Sequence, residues 1–190
     1  MPRLIVGLSG STGPHYGVRL LEVLREERPD IETHLILSAA ARMTISYEMG
    51  RDPDGVAALA HTLHDERNVA ASIASGTFVT EGMVVAPCSM KSLSAIANSY
   101  NDNLIARAAD VCLKERRKLV LVVRETPLHL GHLRLMEQVT AAGAVVLPPV
   151  PGFYHRPQTM QDLIDHTVTK ILDQFGIHLE LIQRWHGLEP

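Results

Sequence analysis

The stretch that decides the fold lies at the start of the chain and reads Leu4-Ile5-Val6-Gly7-Leu8-Ser9-Gly10-Ser11-Thr12-Gly13-Pro14-His15-Tyr16-Gly17. Its short apolar run is typical of a strand covered on both faces, and the glycines after it favour a tight turn. A helix that begins after this turn directs free N–H groups and the positive end of its dipole toward the turn. The stretch therefore predicts a strand, a turn and a helix, and it leaves phosphate binding and a purely structural turn both open.

The spacing of the glycines argues against a dinucleotide. Gly7-x-x-Gly10-x-x-Gly13 differs from the G-x-G-x-x-G fingerprint of dinucleotide-binding folds. The second predicted strand, Glu32 to Ser38, ends in a serine where such a fold usually carries an acidic residue for the ribose. Both observations favour a mononucleotide over NAD.

Strand and helix patterns alternate along the rest of the chain. Further strands are predicted from Gly82 to the Pro87-Cys88-Ser89 turn, over Lys118 to Val123 and over Gly143 to Leu147. Helices are predicted after the first turn, from Ala39, over Val56 to His61, after Ser89, over Leu104 to Arg116, over Leu130 to Ala142 and from Thr159. The pattern predicts a single three-layer α/β/α domain over residues 1–190, Rossmann-like or flavodoxin-like with a mainly parallel sheet, and a C-terminal tail from about residue 177.

Composition limits the classes of function. The chain has 190 residues, 46% of them hydrophobic, and a formal charge of −3, so we expect one core and no nucleic-acid partner. No apolar stretch is long enough for a membrane span or a signal peptide, which favours a cytoplasmic location without a membrane partner. Cys88, Cys112 and the ten histidines lack zinc-ligand spacing, so reduced thiols and no metal are expected.

Two turns at predicted strand ends carry groups that suit catalysis or binding. Cys88 lies where a helix begins, which fits either a nucleophile of lowered pKa or simple buried packing. Arg124 and Glu125 follow the most apolar strand. Because buried charges need partners, this pair is the strongest active-site signal that the residues give by themselves.

Basic side chains also occur on two predicted helices. Arg107, Asp110 and Lys114 share one helical stripe that places the two cations about 10 Å apart, and the stripe fits either a site or a solvated, salt-bridged face. Lys170 lies off the apolar face of the helix that begins at Thr159. The only tryptophan, Trp185, lies in the tail and favours a subunit contact or a covered apolar patch.

Six blocks of sequence together carry a family resemblance. They are Gly10-Ser11-Thr12-Gly13, Pro87-Cys88-Ser89-Met90-Lys91, Arg107-Ala108-Ala109-Asp110-Val111, Lys114-Glu115-Arg116-Arg117, Arg124-Glu125-Thr126-Pro127-Leu128 and Gly152-Phe153-Tyr154-His155-Arg156-Pro157. With these blocks, nearly from end to end, the chain strongly resembles the UbiX-type flavin prenyltransferases. The resemblance implies transfer of a dimethylallyl group from dimethylallyl monophosphate to N5 and C6 of reduced FMN. The implied product is prenylated FMN, and its implied recipient is a UbiD-type decarboxylase.

The resemblance also implies roles for individual residues. FMN would be bound by Gly10, Ser11, Thr12, Ser38, Ser89, Met90, Lys91, Ser92 and Arg124. The substrate would be bound by Arg107, Tyr154 and Lys170, with Trp185 over the site, and the catalytic residues would be Glu125, Glu48 and Lys114. Glu125 would accept the proton lost as the ring rearomatises. Glu48 would come from a neighbouring subunit of a homo-oligomer, commonly a dodecamer.

Two positions depart from the family pattern. The usual Gly-Ala-Ser-Gly turn is Gly-Ser-Thr-Gly here, and Lys170 stands where relatives often carry arginine. Lysine keeps the charge but cannot bind phosphate in a bidentate manner, which bears on substrate affinity. Two other functions remain as alternatives: an FMN-dependent cysteine decarboxylase, for which no active-site histidine can be placed, and a simple FMN carrier for electron transfer.

Overall fold

A six-stranded sheet forms the centre of the protein, for which a computed structural model describes residues 1–187. The strands are β1 (Arg3–Leu8), β2 (Glu32–Leu37), β3 (Thr62–His64), β4 (Gly82–Cys88), β5 (Lys118–Val123) and β6 (Val145–Val146). All neighbouring strands are parallel, in the order β3-β2-β1-β4-β5-β6. The predicted flavodoxin-like α/β class with a parallel sheet is confirmed.

Helices cover both faces of this sheet. They are α1 (His15–Glu27), α2 (Ala39–Met49), α3 (Pro53–Ala57), α4 (Met90–Ala97), α5 (Leu104–Lys114), α6 (Leu130–Ala141) and α7 (Met160–Gln174), with a 3-10 turn at Ser72–Ala74. The helix predicted over Val56 to His61 is wrong in its bounds, because α3 begins at Pro53, capped by Asp52, and ends at Ala57. The edge strand β3 begins further along the chain, at Thr62, and the sequence pattern missed it.

The strand residues alternate between two apolar cores. Leu4 and Val6 pack on the face covered by α1 and α7, whereas Ile5 packs on the face covered by α4 and α5. Full burial of each such aliphatic side chain contributes roughly 1.5–3 kcal/mol to the free energy of unfolding. The two cores place α7 and α5 on opposite faces of the sheet.

The order of the strands creates a crevice at the centre of the sheet. β1 pairs with β2 on one side and with β4 on the other, so the chain reverses its winding direction between β1 and β4. Ligands of open parallel sheets bind at the carboxyl ends of such strands. Gly17 lets α1 approach this point closely, since a Cβ there would lie 2.1 Å from the carbonyl oxygen of Ala86.

Two further findings concern membrane-spanning helices and metal-binding groups among the described residues. Within residues 1–187 no helix is long and apolar enough to cross a bilayer. Over the same range no group of three histidine, cysteine, aspartate or glutamate side chains is arranged to hold a metal ion.

Candidate functional site

Ser9 joins the two central strands at the crevice. Its hydroxyl donates to the carbonyl oxygen of Pro87 at 2.8 Å and accepts from the backbone N–H of Ser89 at 2.8 Å. Ser9 is buried, so this pair of hydrogen bonds fixes the end of β1 against the end of β4. The sequence pattern did not single out Ser9, although its place between a buried strand and Gly10 was the available signal.

The first turn also contacts the end of β5. The hydroxyl of Ser11 donates to the backbone carbonyl of Arg124 at 2.9 Å. Gly10 lies so close to α2 that a Cβ at this position would be 2.2 Å from the Cβ of Ala40. Thr12 is exposed at the tip of the turn. The predicted FMN residues of the first turn and Arg124 are therefore brought together at one edge.

Two predicted FMN residues begin helices at the same edge. The Ser38 hydroxyl accepts from the backbone N–H of Ala41 at 3.0 Å, and the Ser89 hydroxyl accepts from the N–H of Ser92 at 3.3 Å. These N-caps orient the first turns of α2 and α4 toward the crevice, where free N–H groups favour an anion. Both hydroxyl oxygens thus accept a backbone hydrogen bond. The Ser89 hydroxyl also donates to the Ser92 hydroxyl at 3.2 Å, whereas the Ser38 hydroxyl keeps its proton for a ligand.

Met90 and Lys91 differ from the other predicted FMN residues because their side chains do not lie at the crevice. The Met90 side chain packs against the core beneath α4. Lys91 is exposed and lines a surface groove with Ser94 and Asn98 on the outer side of the helix. Only the backbone groups of these two residues, in the first turn of α4, are available to a ligand at the crevice.

A cavity of about 370 Å³ opens beside the first turn. Its lining comprises Thr12, Gly13, His15, Tyr16, Glu48, Arg124, Pro149, Pro151, Met160, Leu163, Ile164 and Thr167. Burial raises the pKa of Tyr16, and the nearby charge of Arg124 partly opposes this. Tyr16 and the residues of α7 in this lining had no assigned role in the sequence analysis.

Glu48 lies at this cavity within its own chain. Its carboxylate accepts a hydrogen bond from the backbone N–H of Gly13 at 2.9 Å. The family resemblance implied that Glu48 reaches a neighbouring subunit's flavin. In the described chain the carboxylate caps the turn that precedes α1, and its role toward a neighbouring subunit stays a prediction.

Arg124 and Glu125 differ in their surroundings. Arg124 is half-buried, and its backbone N–H donates to the carbonyl oxygen of Cys88 at 3.1 Å. Glu125 is exposed, and its carboxylate accepts from the backbone N–H of Thr126 at 2.9 Å. The expectation that this pair is buried is therefore wrong for Glu125 in the single chain, because the strand ends before its side chain enters the core.

Tyr154 belongs to a cluster of rings on the α7 side. Its hydroxyl lies 3.0 Å from Nε2 of His166, and its ring centroid lies 6.0 Å from that of Trp185. Lys170 is exposed one turn beyond His166, and its charge is one cause of the lowered pKa of that histidine. Tyr154, Lys170 and Trp185, all predicted substrate residues, thus lie on one side of the molecule.

Arg107 and Lys114 lie elsewhere, on α5. Arg107 donates to the carbonyl oxygen of Ala74 at 3.2 Å and pairs with Asp110 at 3.2 Å, while Lys114 pairs with Glu115. These are the contacts of a salt-bridged helix face. Since α5 and α7 cover opposite faces of the sheet, the sheet separates these cations from Tyr154 and Lys170 within the described chain.

Lys114 lies away from the crevice, near the amino end of the sheet. α5 begins beside Glu66, past the carboxyl end of β3, where the N–H of Leu104 donates to the Glu66 carbonyl oxygen at 2.8 Å. Lys114 is ten residues further, about 15 Å along the helix. There the chain turns into β5, whose first residue is Lys118.

The nucleophile alternative for Cys88 is excluded by its surroundings. The thiol is completely buried, and this burial raises its pKa to about 12. Burial likewise raises the pKa of Cys112 to about 12. A pKa this high leaves almost no thiolate at neutral pH, and both cysteines are free.

A parallel sheet whose central crevice is edged by helix N-termini, serines and an arginine defines an α/β protein that binds a nucleotide phosphate. The family model described as Flavoprotein matches residues 1–172. The flavin prenyltransferase UbiX of Escherichia coli strain K12 is 61% identical over 189 residues, 98% of this chain and 100% of that protein. The chain therefore belongs to the UbiX family of flavin prenyltransferases.

Two solved structures are similar over almost the whole chain. AnUbiX (PadA1), in complex with FMN and dimethylallyl pyrophosphate, has a TM-score of 0.96 at 48% identity and covers 99% of both chains. A dodecameric FMN-dependent UbiX-like decarboxylase from Escherichia coli O157:H7 has a TM-score of 0.95 at 49% identity, over 97% of this chain and 100% of that chain. The resemblance inferred from the six sequence blocks is confirmed.

Proposed function

We propose that this protein transfers the dimethylallyl group of dimethylallyl monophosphate to N5 and C6 of reduced FMN, without a metal, and that the prenylated FMN passes to a UbiD-type decarboxylase. The observation that carries the proposal is the convergence of Ser9, Ser11, Ser89 and Arg124 at the crevice of the sheet. Its support from relatives is 61% identity to a flavin prenyltransferase over 98% of the chain. The chain would act as one domain with a tail from about residue 177.

The residues at the crevice fit FMN. The N-termini of α2 and α4 supply backbone N–H groups, and Arg124 supplies a cation, which together suit a phosphate ester better than a neutral ligand. Gly10, Ser11 and Thr12 form the turn that would lie against the ligand. When bound in its reduced form, FMN supplies the nucleophilic positions N5 and C6.

We infer that the phosphate of the substrate is bound between subunits. Arg107 and Lys114 would come from one chain, and Tyr154 and Lys170 from another, because α5 and α7 lie on opposite faces of the sheet. Such an arrangement needs a homo-oligomer in which different surfaces meet. A dodecameric relative with a TM-score of 0.95 supports this inference.

The side chains at this site would have different roles in prenyl transfer. The cations neutralise the charge that develops on the phosphate as the C–O bond breaks and the bonding pair leaves with oxygen. Trp185 would lie over the allylic carbons and stabilise their cationic character through its ring face. Glu125 would accept the proton that C6 loses, and Glu48 would hold the first turn through Gly13.

Phosphate release tests this proposal. We expect inorganic phosphate to appear only when dimethylallyl monophosphate and reduced FMN are both present. Oxidised FMN, which lacks the nucleophilic N5, and the saturated isopentyl monophosphate, which cannot form an allylic cation, serve as controls. Equal phosphate release with either control would show that the protein is a phosphatase and would overturn the proposal.

A further inference from the structure

The Tyr154 hydroxyl is joined to a buried imidazole that no sequence pattern singled out. Oη of Tyr154 lies 3.0 Å from Nε2 of His166. Tyr154 is 48% exposed on the loop between β6 and α7, whereas His166, on α7, is 8% exposed. The contact therefore connects a hydroxyl at the surface to a ring held by the interior.

Neighbouring rings fix the orientation of the His166 imidazole. The His155 ring stacks on it with a centroid distance of 5.0 Å and an interplanar angle of 4°. The Tyr154 ring meets it edge-on at 5.5 Å and 74°. A partial rotation of the imidazole would break both contacts, and a half-turn would place Cε1 instead of Nε2 opposite Oη of Tyr154. Nε2 therefore faces Tyr154 and Nδ1 faces the interior.

The surroundings of Nδ1 decide which nitrogen carries the proton. Nδ1 of His166 is buried and has no hydrogen-bond partner within the described part of the chain. A buried N–H without an acceptor is a costlier defect than a buried lone pair without a donor. Burial, followed by the charges of His155 and Lys170, also lowers the pKa of His166, which disfavours a proton on both nitrogens. The proton of the neutral ring is therefore on Nε2.

We propose that His166 is a positioning residue that fixes Tyr154 as a hydrogen-bond donor to the phosphate of the substrate. Because Nε2–H donates to Oη, the Tyr154 hydroxyl proton has no partner in the interior and points outward. A hydroxyl that accepts one hydrogen bond also becomes a stronger donor in the next. The inference rests on the proposed function, in which Tyr154 binds that phosphate beside Lys170.

Ligand binding tests the inference without turnover. Titration calorimetry of the FMN-loaded, oxidised protein with dimethylallyl monophosphate measures the phosphate contact alone, because oxidised FMN does not react. We expect His166→Leu to raise the dissociation constant about five- to tenfold, which is within the range of one ordinary hydrogen bond. His166→Gln keeps an N–H donor near the position of Nε2, so it should remain within about twofold of wild type. Melting temperature and FMN affinity are measured for each variant, and His166→Met replaces His166→Leu if the latter does not fold.

A double-mutant cycle separates positioning from packing. In a Tyr154→Phe background, His166→Leu should have no further effect on the dissociation constant, because His166 acts only through the missing hydroxyl. In turnover assays His166→Leu should raise KM and leave kcat within about twofold. An equal loss in both backgrounds, or wild-type affinity in a folded His166→Leu protein, would overturn the inference and leave the proposed function standing. A wild-type protein that does not bind dimethylallyl monophosphate would overturn both.

Discussion

The hydroxyl of Ser11 donates a hydrogen bond of 2.9 Å to the backbone carbonyl of Arg124. The two residues follow β1 and β5, which are not neighbours, since β4 lies between them. This single contact therefore spans the central crevice and holds the first turn against the residue that supplies its cation. Substitution of Ser11 or Arg124 should therefore change the affinity for FMN.

Ser11→Ala is expected to weaken FMN binding. The substitution leaves the Arg124 carbonyl without its donor, so the dissociation constant for FMN should rise about three- to tenfold, the range of one hydrogen bond. Fluorescence titration of FMN measures the change. Ser94→Ala, one turn along α4 and away from the first turn, is the matched control and should bind FMN as wild type does. Equal affinities for both variants would show that the Ser11 contact is unimportant for the cofactor.

Glu125→Gln should block closure of the bond to C6, and with it formation of prenylated FMN, while the protein still binds FMN. Glu125 is exposed and bonded only to the Thr126 backbone N–H within the residues described, and an amide oxygen accepts that bond equally well. Loss of the carboxylate removes the proton acceptor, which typically costs about a hundredfold or more in rate. Rate, FMN affinity and melting temperature are measured together. A fall in FMN affinity and melting temperature with normal turnover would instead make Glu125 a structural residue.

Hybrid oligomers test the division of the phosphate site between chains. Lys114→Ala and Lys170→Ala should each be nearly inactive as homo-oligomers. When the two variants are co-expressed, about a quarter of the sites should combine an intact α5 with an intact α7, and activity should return to that extent. Two variants on the same side of the molecule, Tyr154→Phe in the loop before α7 and Lys170→Ala on α7, form the control pair and should not complement each other. Absence of recovery in the first pair would place all four residues within one chain's site.

Both cysteines should resist alkylation in the native protein. Burial raises the pKa of Cys88 and of Cys112 to about 12, so almost no thiolate is present at pH 8. Mass spectrometry after iodoacetamide treatment should show no label without denaturant and two labels with it. Cys88→Ala should retain prenyl transfer. Rapid labelling of Cys88 in the folded protein would show that the thiol is reactive and would make it a candidate nucleophile.

The C-terminal tail should be released when Asp173 loses its charge. Arg184 binds this carboxylate through two hydrogen bonds, of 3.0 and 2.9 Å. The Arg184 hydrogen bonds, more than the opposing burial, lower the pKa of Asp173. A lowered pKa means that the stabilisation is present above the usual value, about 3.9, and is lost as the pH falls through the lowered one.

Trp185, the only tryptophan of the chain, reports this change. Its fluorescence should shift in Asp173→Asn already at pH 7, and in the wild type only below about pH 4. Glu180→Gln serves as the control, since Glu180 is not a hydrogen-bond partner of Arg184. A wild-type spectrum for Asp173→Asn would show that the ion pair does not hold the tail. Residues 188–190, the end of the predicted tail, lie outside the described residues.

The fold was largely predictable because each central strand is a continuous apolar run followed by a turn. β1, β4 and β5 are buried on both faces, and no helix pattern competes with such runs. β3 was missed because it has three residues, at the edge of the sheet, with only partial burial. The sequence after α3 therefore carries almost no hydrophobic pattern from which a strand could be recognised.

The site was less predictable than the fold. The serines at the crevice follow strands whose carboxyl ends meet, so their convergence could be anticipated from topology. The separation of Arg107 from Lys170 could not, because helical spacing within α5 and α7 contains no information on which face of the sheet each helix covers. His166 could not be predicted for a different reason. A histidine among apolar helix positions is usually a packed residue, and only the contact with Tyr154 indicates another role.

Mass spectrometry of the released flavin tests the central claim most directly. The protein is incubated anaerobically with reduced FMN and dimethylallyl monophosphate, and the mass of the extracted flavin is determined. The account predicts a flavin heavier by one five-carbon unit, formed in equal amount to the released phosphate. With Glu125→Gln, which leaves the N5 step intact but lacks the proton acceptor for C6, the flavin should stop at the open N5 adduct. Recovery of unmodified FMN from a protein that binds both ligands would contradict it and would favour a simple FMN carrier.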